Sequence, residues 1–338
     1  MTAMSVEGGR DTAAGGPDTF DISVVLCTRN RAASLRETLA SVSRLTVPPG
    51  KAVEMFVVDN GSTDGSADVI REFRWPGVAV RRLHVAEPGV ARSQNTAIGQ
   101  AGGRVLLFLD DDVRPPHDWL ARLSEPILSG QADAVGGGIV IPEEVKPPWT
   151  RSEHEEWLAS TAHWEATREP VLVCANMAIG RHMFQAIGGF DEDLAWAPDT
   201  MVSHRLLAAG FTLVLRHDIV MEHWLEAARF TREGLERQAG RRAELQAYLV
   251  HHWEGRWIRL PRLRWVVAKL RLAAHRATLG RLTNANLALP EMRLMQRVAF
   301  WPAYLRCRNA PCRFIEVDGV MRRRDPVPWS PISGSPPT

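Results

Sequence analysis

Apolar runs and helical stripes alternate along the first third of the chain. Residues 22–27 (ISVVLC) are β-branched and apolar without a polar break, which predicts a strand covered on both faces. Asn30 stands where a helix cap belongs, and Leu35, Leu39 and Val42 follow at helical spacing. The cycle repeats with MFVVD (55–59), the turn NGSTDGS and a helix marked by Val69, Ile70 and Phe73. VAVRRLHV (78–85) predicts a third strand, residues 89–101 a third helix and RVLLFLD (104–110) a fourth strand. Crossover helices cover both faces of a parallel sheet, so near-continuous apolar strands separated by helices predict an α/β fold with a mostly parallel sheet.

The pattern continues less regularly. AVGGGIVI (134–141) predicts a strand whose glycines allow close backbone approach. RHMFQAIGGFDEDL (181–194) predicts a short helix stopped at Gly188-Gly189, and Pro198-Asp199 opens another that Gly210 closes. TLVLR (212–216) and IVMEHW (219–224) predict two last strands, and beyond Arg229 the spacing turns helical. Ligands of parallel α/β sheets bind at the carboxyl ends of the strands. Thr28-Arg29, Asp59-Asn60 and Asp110-Asp111-Asp112 all fall at such ends. Carboxylate oxygens suit hard cations such as magnesium or manganese, but an acidic loop with solvated charges has the same composition. In an extended segment Asp110 and Asp112 share a side.

Composition narrows the class. A content of 45% hydrophobic and 24% charged residues in 338 is that of a soluble globular protein with room for one large or two ordinary domains. Four scattered cysteines without metal-site spacing are expected to be reduced, in a cytoplasmic setting. No leader or membrane-spanning helix is expected, for residues 1–19 lack an apolar core and no window of about 18 residues is apolar and uncharged. Residues 1–19 and the Pro/Ser-rich 321–338 are expected to be disordered tails. The net charge of +2 hides an asymmetry, because residues 229–324 hold 21 Lys/Arg against 7 Asp/Glu. The expected organisation is a domain over 20–228, then a basic amphipathic helical region over 229–320.

Six pieces in order carry a resemblance: VVLCTRNRAASLRETLASV, VVDNGSTDGS, GVARSQNTAI, LFLDDDV, NMAIGRHMFQAIGGFDEDL and APDTMVSHRLLAAGF. With them the chain resembles a family 2 glycosyltransferase of the GT-A (Rossmann-like) fold, over about 200 residues. The resemblance implies a nucleoside-diphosphate-sugar donor (UDP, GDP or dTDP), a divalent Mn2+ or Mg2+ and inversion at the sugar carbon, with 20–115 as nucleotide-binding half and 116–228 as acceptor half of the domain. It implies that Asp59, Thr28, Arg29, Arg92 and Asn95 surround the nucleotide. Asp110 and Asp112 match its Asp-x-Asp motif, with Asp112 the metal ligand, Asp110 toward ribose or metal, and Asp111 between them. His223 matches a histidine near metal or pyrophosphate, and Asp199 the acceptor-side general base, with Asp191 as fallback. Asn176, Trp196 and Trp224 are candidates for the acceptor side. The chain departs from the family at Pro198-Asp199-Thr200-Met201, where the pattern has an acidic pair and a third acid two residues later; one carboxylate of three remains.

Two other readings stay open: a non-catalytic sugar-nucleotide binder or scaffold, and a sugar nucleotidyltransferase, although CTRNRAAS lacks the glycines of that class's phosphate loop. Acceptors consistent with the resemblance are glycans, lipid-linked sugars or small molecules. The segment RWIRLPRLRWVVAKLRLAAHR (256–276) interleaves cations with large apolar residues. It reads either as a helical cap with a solvated basic face or as a peripheral contact with the inner face of a membrane. Nucleic acid is not expected, because no recognition motif accompanies the charge.

Overall fold

The computed structural model describes residues 19–164, 170–194, 196–278, 289–317 and 320–324, so the expected tails lie almost wholly outside the described residues. Strands β1 (Phe20–Thr28), β2 (Val53–Asp59), β3 (Ala79–His84), β4 (Gly103–Leu109), β5 (Val113–Arg114), β6 (Ala134–Val140), β7 (Met177–Gly180) and β8 (Leu213–His223) form one sheet. Their order is β3-β2-β1-β4-β7-β6-β8-β5. Helices α1 (Ala32–Val42), α2 (Ser66–Glu72), α3 (Val90–Gln100), α4 (Trp119–Leu128), α5 (Ser152–Trp157), α6 (Met183–Ile187) and α7 (Pro198–Ala208) accompany it. Helices α8 (Arg232–Tyr248), α9 (Pro261–Thr278) and α10 (Leu289–Arg308) and a hairpin of β9 (Phe314–Val317) and β10 (Val320–Arg323) follow.

The described residues divide into two compact units, one formed within 19–140 and 164–224 and one within 141–163 and 225–324. The division departs from the expected boundaries at 141–163. There Ile141, Trp157 and Leu158 bury their apolar surface with Phe230, Leu235, Ala239 and Met292. The second unit is helical, with a further cluster of Ala243, Ala247, Phe300 and Tyr304 between α8 and α10.

In the first unit β4 shows why its apolar run has no polar break. Val105, Leu107 and Leu109 pack on one face against α1 and α4 through Leu35, Leu39, Trp119 and Leu123. Leu106 and Phe108 pack on the other against Ile98, Phe184, Phe190 and Val202. Each such fully buried side chain contributes about 1.5–3 kcal/mol. Parallel pairing joins β1 to β2 and β4, β2 to β3, and β6 to β8. The sheet is mostly, not wholly, parallel, because β7 runs antiparallel between β4 and β6 and β5 runs antiparallel to β8.

The two last strands expected from the sequence are one strand. Gly137 pairs with Arg216 and Gly138 with Val220, so His217, Asp218 and Ile219 bulge within β8. A Cβ at Gly138 would stand 2.4 Å from the His217 carbonyl oxygen, which explains the glycine.

Asn176 corrects an expectation. It is fully buried and not at an acceptor side: its amide donates to the carbonyls of Gly138 (2.8 Å) and Ile219 (2.9 Å), while Trp119 Nε1 donates to its Oδ1 (2.8 Å). It ties β6, β8 and α4 together at the start of β7, and a Cβ at Gly137 would sit 2.1 Å from its amide nitrogen. Replacing Asn176 by Ala leaves three buried partners unpaired and is expected to cost roughly 2–4 kcal/mol, read by urea unfolding. Unchanged stability would mean that water replaces the amide.

Candidate functional site

The register of the sheet builds the site. Leu26 pairs with Leu109 and Thr28 with Asp59, so the carboxyl ends of β2, β1 and β4 finish side by side. Past Leu109, Asp111 turns toward α1: Thr28 Oγ1 donates to its Oδ2 (2.6 Å), and Ser34 Oγ donates to its backbone carbonyl (2.7 Å). Asp112 leads into β5, whose Val113 pairs with His223 of β8. This short antiparallel pairing brings the His223 imidazole Nε2 to 3.0 Å from Asp112 Oδ1 and the Trp224 amide to 2.7 Å from the Asp112 carbonyl.

Asp110, Asp112 and His223 each offer a ligand atom within 4.8 Å of the others. Two carboxylates and an imidazole form a donor set that fits Mn2+, and the carboxylates fit Mg2+. The electrostatics point the same way. Burial, with the Asp112 carboxylate beside it, pushes the Asp110 carboxyl up to about 7. Burial also raises Asp111, against the pull of Arg31 and the Thr28 hydroxyl. At Asp112 burial is outweighed by the His223 imidazole and the Arg31 guanidinium, which hold its carboxyl well below the usual carboxylate range. Three carboxylates thus crowd one rim beside a single guanidinium and an imidazole, and a cation there would relieve the pressure that pushes two of them toward the neutral form.

Arg31, absent from the sequence candidates, is the main counter-charge. Its Nη1 lies 2.8 Å from Asp111 Oδ1 and 2.5 Å from Asp112 Oδ2. The signal was present as the second arginine of TRNR, at the β1–α1 junction facing the acidic loop. Two hydrogen bonds to a single turn hold that junction. Asn30 adopts a left-handed backbone (φ 54°), and its side chain accepts from the Thr63 amide (2.7 Å) instead of capping α1. The first amide of α1, that of Ala32, donates to Asp64 Oδ2 (3.1 Å), so the cap comes from the NGSTDGS turn.

The remaining candidates fall in distinct settings. Asp59 is buried, accepts the Ser62 amide (3.0 Å) and lies 3.0 Å from His84 Nδ1. Arg29 is exposed at the end of β1 and has no ion pair among the described residues. Arg92 is held at the surface by Glu87 and Glu192. Asn95 is a latch: Phe190 donates its amide to Asn95 Oδ1 (2.7 Å) and accepts from Nδ2 (3.0 Å), and a Cβ at Gly189 would meet that amide at 2.4 Å. Trp224 is half-buried with Arg114 3.7 Å over its ring, and Trp196 is half-buried.

Asp199 stands in the first turn of α7, after Pro198 and after Ala197, a non-glycine residue in the left-handed region (φ 51°). Such strain collects at functional loops. Its Oδ2 accepts the Cys174 amide (2.8 Å) and its Oδ1 the Thr200 amide (2.8 Å). Burial pushes its pKa up despite these bonds, and its charge reaches Asp110. Asp191 is fully buried and accepts the Asp193 amide (3.1 Å) within its own turn.

Residues 23–188 match the sequence profile described as "Glycosyl transferase family 2". The chain is 29% identical over 208 residues to the glycosyltransferase AglE of Haloferax volcanii, covering 60% of this chain and 66% of that one. It is 24% identical over 200 residues to the probable glycosyltransferase YdaM of Bacillus subtilis, covering 56% and 47%. The chain thus spans less than two thirds of the length of these curated relatives. Among solved structures, the mannosyltransferase PcManGT from Pyrobaculum calidifontis, in complex with GDP-Man and Mn2+, has a TM-score of 0.58 at 21% identity, covering 86% of this chain and 88% of that one. That likeness shows the GT-A fold.

Removing Arg31 leaves two buried carboxylates without their cation. Arg31→Gln is expected to lower stability in chelator by roughly 2–4 kcal/mol, read by thermal or urea unfolding. A loss under about 0.5 kcal/mol would show that the carboxylates shed their charge without cost.

Proposed function

Because residues 23–188 match the profile of glycosyl transferase family 2, we propose that the chain moves a sugar from a nucleoside-diphosphate sugar to an acceptor hydroxyl with inversion, using Asp199 as general base. The observation that carries this reading is the cluster of Asp110, Asp112 and His223, set in line with Thr28 and Asp59 on the carboxyl rim of the sheet. This reading gives Asp59 and Arg29 to the nucleotide, supported by Asp59 ending β2 beside Thr28 of β1 and by Arg29, next after Thr28, being exposed without an ion pair among the described residues. Arg92 reaches a phosphate by exchanging its surface carboxylates for it, an exchange of contacts worth only about 0–1 kcal/mol each.

Asp110, Asp112 and His223 would hold the divalent ion, which when bound supplies charge neutralisation at the pyrophosphate oxygens. Arg31, which touches Asp112, orients that carboxylate from the side of α1. Asp199 takes the proton of the acceptor hydroxyl as the sugar carbon is attacked opposite the departing diphosphate. The amides of Cys174 and Thr200 fix its oxygens, while burial raises its basicity. The loss of two neighbouring acids leaves Asp199 as the carboxylate of its segment. The complex of the similar mannosyltransferase makes GDP-mannose with Mn2+ the first pair to try, followed by UDP- and dTDP-sugars.

Thermal shift across such a donor panel is expected to show metal-dependent stabilisation by one nucleotide class, absent in Asp112→Ala. No stabilisation by any sugar nucleotide under any metal would overturn the reading. Asp199→Asn is expected to keep donor binding and to lose roughly 10²–10⁴-fold in turnover. An unaffected rate would hand the base role to another group; a protein that binds donor but never transfers would be a sugar-nucleotide binder. The pH profile follows from the direction of the Asp199 shift. A base must be ionised, and a raised pKa moves the loss of ionisation to higher pH, so kcat/KM falls on the acid side at a pH above the range of exposed carboxylates. Asp199→Asn removes that limb.

A further inference from the structure

Helix α9 of the second unit has two apolar faces, and only one has a partner. Pro261 and Ala268 are buried, and Leu272 packs against the cluster of Leu235, Ala239 and Met292. At 100° per residue these positions fall within an arc of about 40° on the helix. Across the helix, Leu263, Val266, Val267 and Leu270 form a second stripe within an arc of about 100°. They are 39% to 64% exposed, and Leu260 and Trp257, just ahead of the helix, are 66% and 60% exposed. Among the described residues, Val220 is the one other large apolar side chain as open. An exposed apolar stripe of this extent is unusual on a soluble surface and marks a contact face.

The cations say what the contact is. Arg264 and Arg271 border the stripe on one side, and Arg262 and Lys269 on the other. These four, with Arg259, have no carboxylate partner among the described residues. Arg256, Arg264, Arg271 and Arg297 also line a hollow of about 630 Å³ between α9 and α10. A second copy of this chain would meet the stripe with the same positive charge, and a nucleic acid would leave the apolar stripe without cover. No described helix is long and apolar enough to cross a membrane. Anionic headgroups over an acyl layer complement both features: apolar side chains enter the interface while flanking cations extend to phosphates.

We propose that the 257–271 segment is a membrane-interface element: α9 lies on an anionic lipid surface through Leu263, Val266, Val267 and Leu270, with flanking arginines on lipid phosphates. The inference stands apart from the transferase reading, since it uses no residue of the carboxylate rim.

Sedimentation of the full chain with lipid vesicles tests it. Vesicles of phosphatidylcholine with roughly 30% phosphatidylglycerol are expected to bind at least about tenfold more tightly than pure phosphatidylcholine, with binding weakened by salt. The triple exchange Leu263→Glu, Val267→Glu and Leu270→Glu, at exposed positions, is expected to abolish binding with unfolding unchanged. As a second variant, Arg262→Gln with Lys269→Gln keeps the stripe and is expected to weaken binding to the anionic vesicles alone. Absence of binding to anionic vesicles, or binding that survives both variants, would overturn the proposal. So would concentration-dependent self-association in the ultracentrifuge, removed by the triple exchange and unaccompanied by vesicle binding, which would assign the face to a second copy.

Discussion

Three consecutive carboxylates at the end of a buried strand form the constraint that the first unit must answer. A carboxylate in a low-dielectric interior costs several kcal/mol unless paired and hydrogen-bonded. The strand cannot carry the acids outward, because Leu106 to Leu109 are locked between two helical layers. Each neighbouring element therefore contributes one answer. From β1 comes the Thr28 hydroxyl, from the β1–α1 junction Arg31, from the first turns of α1 Ser34, and from β8 the His223 imidazole. These answers divide unevenly: Asp112 is held ionised, while Asp110 and Asp111 are pushed toward the neutral form. A site in that condition would suit a cation that several oxygens and one imidazole can share.

Much of this was legible in the chain. The apolar period and the acidic strand end predict the sheet and the rim, since both follow from local burial, and the six resembling pieces carry the family. Other features were not legible, and each depends on pairing between segments far apart in sequence. Arg31 meets Asp111 only because β1 and β4 are neighbours in register. His223 was marked through the resemblance, but its route to Asp112 runs through the two-residue strand β5, which is too short to leave a periodic signal. Asn176 lies next to a glycine-rich strand, and only the structure shows that Gly137 is small to admit its amide. The bulge that joins two expected strands into β8 was hidden for the same reason, because a break in polarity at Arg216 to Asp218 looks like a loop until the partner register is known.

The segment around Asp199 departs most from the family pattern, and its geometry explains how one carboxylate can stand alone. In a group of three acids, like-charge repulsion raises the proton affinity of each member. Here burial does that work for a single group, and two backbone amides oppose it enough to keep the oxygens fixed. The left-handed Ala197 and the ring of Pro198 set the entry to α7, so the position of the carboxylate is determined by backbone conformation more than by neighbouring side chains.

The rim thus separates two kinds of side chain by how they are held. Thr28, Arg31, Asp112, Asp199 and His223 are anchored by buried bonds to strands or helix ends, and moving any of them leaves a buried polar group unpaired, which costs about 1–3 kcal/mol. Arg29 and Arg92 are anchored by nothing comparable, since one is exposed and the other shares exposed carboxylates. Groups that must be in place before a ligand arrives belong to the first kind, because preorganisation removes the cost of ordering them during the reaction. Groups that close over a ligand belong to the second, because their existing contacts are weak enough for a phosphate to displace. The carboxylate–histidine cluster is therefore built into the sheet itself, and in the proposed reaction adaptation to a particular donor falls to the arginines at its edge.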